Sequence, residues 1–193
     1  MSIVLRCQVL GSDPRDDQGK RDTWTYLLTL VCMGLASGQK TPHAICRGAH
    51  WHKEELLDLL QAAYRQLPWA SRFYRILPRV DVEALEELIA AYGRASAPDL
   101  AQLWRGQWTI ENRSHYVRDE RMGEDRGQIA RGNGPQALAA LRNAVLTALR
   151  GRGWESIAEA LRYHDASVVH SFYLVTTPLD APPLQDQPTF RRL

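Results

Sequence analysis

The sequence predicts a mainly α-helical protein: a compact multi-helix body with little or no sheet. Three observations carry this. Apolar residues recur at helical spacing in one stretch after another. Ser, Thr or Asp stands where such stretches begin, and Pro or Gly where they stop. An apolar content of 45% over 193 residues is ordinary for a globular chain and enough for one good core or two small lobes, which argues against wholesale disorder.

Taken in order, Met1 to Leu10 reads as a short strand or an apolar arm, and Gly11 to Lys20 as a turn-rich, charged loop. Asp22 or Thr23 caps a helix running to about Ser37, with Gly38 as its stop; it is apolar nearly all round and so belongs at the centre of the first lobe. Thr41 followed by Pro42 is an N-cap and a first-turn proline, opening a short helix to about Ala49. The next helix, Lys53 to Gln66, buries Leu56, Leu57, Leu59, Leu60 and Ala63 and is ended by Pro68. Ser71 caps a short helix, Arg72 to Leu77, stopped by Pro78, and it presents Arg72 and Arg75 with Arg79 just beyond. Asp81 caps a helix carrying Val82, Leu85, Leu88, Ile89 and Tyr92. Short, closely joined helices with arginines at one end have helix-turn-helix-like character, though no turn glycine fixes that geometry and a plain bundle fits the same pattern.

Gly93 to Pro98 is a linker, followed by a short helix from Leu100 to Arg105. Gln136 to Arg150 is amphipathic, with Leu138, Leu141, Val145, Leu146 and Leu149 on one face, and Trp154 to Tyr163 forms a further helix through Ile157, Ala158 and Leu161. Val168 to Val175, β-branched and aromatic, is a candidate strand. The Pro-rich segment from Pro178 reads as an extended, mobile tail.

A net charge of +2 argues against a general polyanion binder. The basic charge is nearly all arginine, since Lys20, Lys40 and Lys53 are the only lysines, and the guanidinium suits phosphate and base contacts. An arginine-rich genome accounts for the bias equally well. Cys7, Cys32 and Cys46 form neither a disulfide framework nor a Cys-x-x-Cys knuckle. Cys46, His50 and His52 have ligand chemistry but no second cysteine nearby, so no metal or other cofactor is expected. No secretion signal is visible, and the apolar run from Tyr26 to Ala36 is too short to span a bilayer; the expectation is a cytoplasmic protein with no membrane partner.

One stretch stands apart. Leu103 to Asn133 holds Trp104, Trp108, His115, Tyr116, arginines at 105, 113, 118, 121, 126 and 131, and acids that include Glu111. It reads either as a solvated helix-and-loop face or as a nucleic-acid-facing segment. Its run Trp-Thr-Ile-Glu-Asn-Arg, with His115, Arg118-Asp119, Gly-Glu-Asp-Arg and Arg-Gly-Asn after it, resembles the C-terminal part of insertion-sequence DDE transposases of the H-repeat-associated type. Residues 13–21, the apolar helix, Ser71 to Leu77 and Val80 to Leu88 resemble the transposase-associated N-terminal domain of the same enzymes. The resemblance covers about Gly11 to Gly93 and, separately, Leu100 to about Leu161. It divides the chain into a helical lobe at 1–94, a remnant of the C-terminal segment at 95–177 and the tail at 178–193.

The resemblance implies an RNase H-like enzyme using two Asp and one Glu, with Glu111 in the place of the Glu. The two Asp would come from a sheet lying between the matched parts, and here that interval shrinks to the linker. An RNase H-like core needs on the order of 100 residues. Glu111 therefore lacks partners for two-metal chemistry. A local set of Glu111, Asp119, Glu124 and Asp125 has no sheet to fix it. The expectation is a catalytically inactive, transposase-derived DNA-binding protein or nucleoprotein-complex subunit. Its contacts would be Arg72, Arg75, Arg79, Arg113, Arg118, Arg121, Arg126 and Arg131 on phosphates, with Trp108, His115 and Tyr116 stacking. The alternatives are a protein-interaction subunit of a larger assembly, or a self-associating one, without direct DNA contact, and a residual metal-dependent nuclease.

Overall fold

Thr23 begins the first helix as its side-chain chemistry demands, its hydroxyl accepting the Tyr26 N–H at 3.2 Å. The computed structural model describes residues 13, 22–61, 66–87, 132–178, 181 and 184. Among them the ordered elements are all helical: α1 (Trp24–Ala36), α2 (Pro42–Trp51), α3 (Lys53–Leu59), α4 (Ala70–Ile76), a 3-10 turn (Leu77–Arg79), a helical stretch at 82–87, α5 (Gly134–Gly151), α6 (Ile157–Asp165) and α7 (Val168–Thr176). The mainly helical body expected from the sequence is thus observed.

α1 is the hub. Leu27, Leu28, Val31 and Leu35 are at most 1% exposed although they point in different directions, because α2, α5 and α7 all pack around this helix. Ser37 caps its end and Gly38 turns the chain at φ +74°, where a side chain would be strained. Thr41 and Pro42 open α2 as expected, with the Ala44 N–H donating to the Thr41 hydroxyl at 3.1 Å. α1 and α2 approach closely at Gly34, where an added Cβ would lie 2.7 Å from Cγ1 of Ile45.

The helices of the two sequence segments share one core. Leu141, Val145 and Leu149 on α5 and Leu174 and Val175 on α7 join the same buried cluster as α1. Two polar ties reinforce it. The Arg142 side chain, 1% exposed on α5, donates from Nη2 to the Lys40 carbonyl at 3.0 Å. The His164 carbonyl accepts from Ser37 Oγ at 3.2 Å and Ser171 Oγ at 2.8 Å, joining the end of α1 to α6 and α7.

Several boundaries differ from expectation. Residues 168–175 are helix, not strand: the Ser167 hydroxyl caps the Val169 N–H, and Val168, Ser171, Leu174 and Val175 fall on one buried stripe. Burial of that stripe against α1 outweighs the β preference of valine and aromatics. α3 stops at Leu59, with Gln61 at φ +47°, well before Pro68; residues 62–65 lie outside the described residues. α4 begins at Ala70 behind an uncapped Trp69 rather than at a Ser71 cap, and its backbone tightens into the 3-10 turn, which includes Pro78. α6 starts after Ser156, not at Trp154, and buries Ala160 where Ala158 was expected. The expected segments 1–10, 88–92 and 100–105 lie outside the described residues.

Candidate nucleic-acid interface

α4 and its turn anchor themselves by Phe73, Ile76 and Leu77, each at most 1% exposed. That spacing leaves the arginines on the other sides of the helix. Arg75 and Arg79 are exposed. Arg72 is half-buried, and its Nε lies 3.6 Å from Oδ2 of Asp22, a carboxylate only 4% exposed just ahead of α1. Arg72 therefore holds α4 to the start of α1, whereas Arg75 and Arg79 project from the resulting platform. The helical stretch that follows is capped by Asp81, whose Oδ1 accepts the Ala84 N–H at 3.0 Å.

The platform meets the chain just ahead of α5. Gly132, at φ +52°, stands so close to the turn that an added Cβ would lie 3.2 Å from Cβ of Pro78 and 3.4 Å from its carbonyl oxygen. The residue after Arg131 thus touches the residue before Arg79. α5 springs from this point and packs on the 3-10 turn. Glu111, Arg113, Arg118, Arg121, Arg126, Arg131, Trp108, His115 and Tyr116 themselves lie outside the described residues.

Other groups with chemical potential are already engaged. Burial raises the Cys46 thiol above its usual pKa, against a smaller lowering by the Ala70 backbone, and the thiol donates to the Pro68 carbonyl at 3.5 Å. His50 Nδ1 donates to the Cys46 carbonyl at 2.8 Å, and its ring stacks on Trp69 at 4.9 Å. This set pins α2 to the segment before α4. Among the described residues, no three His, Cys, Asp or Glu side chains converge as a metal site, and no helix is long and apolar enough to cross a membrane.

A helical body with exposed arginines on one short helix and its turn is the setting in which the sequence comparison finds a transposase-associated region. Residues 11–92 match the family model described as DDE_Tnp_1-associated, which takes in α1 to α4 and the stretch at 82–87. No curated protein and no solved structure matches the chain.

Sequence reasoning missed the surface around Trp51, which is 86% exposed. The signal was present. Pro42, Ile45, Cys46 and Ala49 form the inward stripe of α2, and Trp51 falls off that stripe.

Proposed function

We propose that this protein is a transposase-derived DNA-binding protein or nucleoprotein-complex subunit without catalytic activity, acting through an arginine-rich surface. The contact of Gly132 with Pro78 carries the reading. It brings Gly132, the residue that follows the 113–131 run in sequence, against the turn that carries Arg79, which supports a reading in which both stretches contribute to one phosphate-binding face. The transposase-associated match over residues 11–92 supports the same reading. So does the short interval between the two resembled parts, which leaves Glu111 without the two Asp that metal-dependent strand transfer needs. The test is fluorescence anisotropy of duplex and single-stranded DNA across a salt series, with and without magnesium. Binding that weakens linearly in log salt is the expected result. Absence of binding at low salt would overturn the reading, and probe cleaved in magnesium but intact with Glu111→Ala would replace it with a nuclease.

A further inference from the structure

Two tryptophans stand exposed on the described surface, Trp51 at 86% and Trp69 at 70%. They are held differently. Trp51 ends α2, and among the described residues no ring lies against its indole. Trp69 is fixed on several sides. The Pro68 carbonyl before it accepts from the Cys46 thiol at 3.5 Å, and its own carbonyl accepts the Arg72 N–H at 2.9 Å. One face of its indole lies on the His50 ring, with centroids 4.9 Å and planes 28° apart. His50 is anchored in turn by its Nδ1 bond to the Cys46 carbonyl at 2.8 Å. The indole therefore offers its other face to solvent from a fixed position.

The surroundings select what covers that face. From residue 66 to residue 80 the chain carries Arg72, Arg75 and Arg79 and no acid. Asp22 engages Arg72, which leaves Arg75 and Arg79 exposed to a ligand. Arg75 stands on the helix that Trp69 opens, about 9 Å of helix rise further on. A flat aromatic face beside guanidinium groups matches a nucleotide strand: the base stacks and the phosphate pairs with arginine. Within a duplex the base faces are covered by their neighbours, so only an unpaired base can use the indole. A basic partner segment would be repelled by the same arginines. We propose that Trp69 is a stacking platform for an unpaired base, so that the surface carrying Arg75 and Arg79 takes single-stranded DNA. The proposal rests on the DNA-binding reading above and adds the form of DNA that is bound.

The test uses the full chain and a short oligothymidylate bearing one 5-iododeoxyuridine, a base that crosslinks under light to an aromatic ring stacked on it. The expected result is a crosslink at Trp69, found by mass spectrometry and absent with a blunt duplex holding the same base. In anisotropy, Trp69→Ala should weaken the single strand about tenfold, as the loss of one stacked base requires. Duplex affinity should change by less than about twofold, and the salt slope should stay as it was, because no phosphate contact is removed. Trp69→Leu still covers His50 but offers no aromatic face, and should bind the single strand as weakly as Trp69→Ala. Trp69→Phe restores a ring and should recover most of the affinity, whereas Trp51→Ala should change nothing. Unchanged single-strand affinity in Trp69→Leu, with duplex still bound, would overturn this inference and leave the DNA-binding reading standing. Equal losses on single strand and duplex, or full affinity in Trp69→Leu beside loss in Trp69→Ala, would reduce Trp69 to a structural cover. Failure of the wild type to bind either DNA at low salt would overturn both.

Discussion

His164 enters the core as a neutral imidazole. Its Nδ1–H donates to the Ala160 carbonyl at 2.7 Å, and Trp154 and Tyr163 present ring edges to it. Burial, above all, lowers its pKa to about 4; His170 and Arg152 push the same way, and the Ala160 bond opposes them. An unfolded chain takes up that proton near pH 6.5. Between the two values the unfolded state binds more protons, so stability is whole above pH 6.5 and falls with acidification, by roughly 3 kcal/mol on reaching pH 4. Urea midpoints measured from pH 7 to pH 4.5 should decline for the wild type and decline less steeply for His164→Leu; equal slopes would remove His164 as the cause. Arg142 is a buried cationic side chain with a structural task. Truncation to Ala leaves a void and the Lys40 carbonyl without its donor, and should cost about 2–4 kcal/mol by denaturant titration.

The contact between α1 and α2 is close enough for a single added atom to probe it. In Gly34→Ala the new Cβ meets Ile45 Cγ1 at 2.7 Å and Cγ2 at 2.8 Å, both on a buried, branched side chain with nowhere to turn. The substitution should destabilise by about 1–3 kcal/mol despite alanine's better helix propensity, and pairing it with Ile45→Ala should recover part of the loss. Thr41→Ala removes the α2 cap and should cost about 1 kcal/mol. These helices were legible in sequence because their starts and stops are local chemistry: Thr23 and Gly38 around α1, Thr41 with Pro42 at α2, Asp81 before the stretch at 82–87. α7 was not. Val168, Val169, Phe172 and Val175 favour a strand locally, and only the presence of α1 opposite Val168, Ser171, Leu174 and Val175 decides for helix. Nor did α4 announce its start, since neither Trp69 nor Ala70 supplies a side-chain cap.

At the scale of the molecule, α1 buries its surface as much against helices from the second sequence segment as against its own neighbours. A chain cut at residue 94 would leave α1 exposed to water along the faces that α5 and α7 cover. Such a fragment should show no cooperative urea transition, whereas the whole chain should unfold in one step by both fluorescence and circular dichroism. Part of the proposed arginine surface is legible in the sequence. Composition and resemblance drew attention to both runs, but the contact of Gly132 with Pro78 joins positions more than fifty residues apart, which no local pattern reports. The pairing of Asp22 with Arg72 is equally hidden: the sequence offers Asp22 as a helix cap, and only the fold brings α4 to it.

The central claim, that Arg75 and Arg79 act together with the 113–131 run on DNA, is tested most directly by charge reversal at both ends. Anisotropy salt series are compared for the wild type, for Arg75→Glu with Arg79→Glu, for Arg113→Glu with Arg118→Glu, and for all four changes together. The expected result is weaker binding in each pair, with the slope of log affinity against log salt reduced by about one for each phosphate the protein no longer neutralises. Retention of full affinity and an unchanged salt slope in the Arg75 and Arg79 pair, with the fold intact, would contradict it.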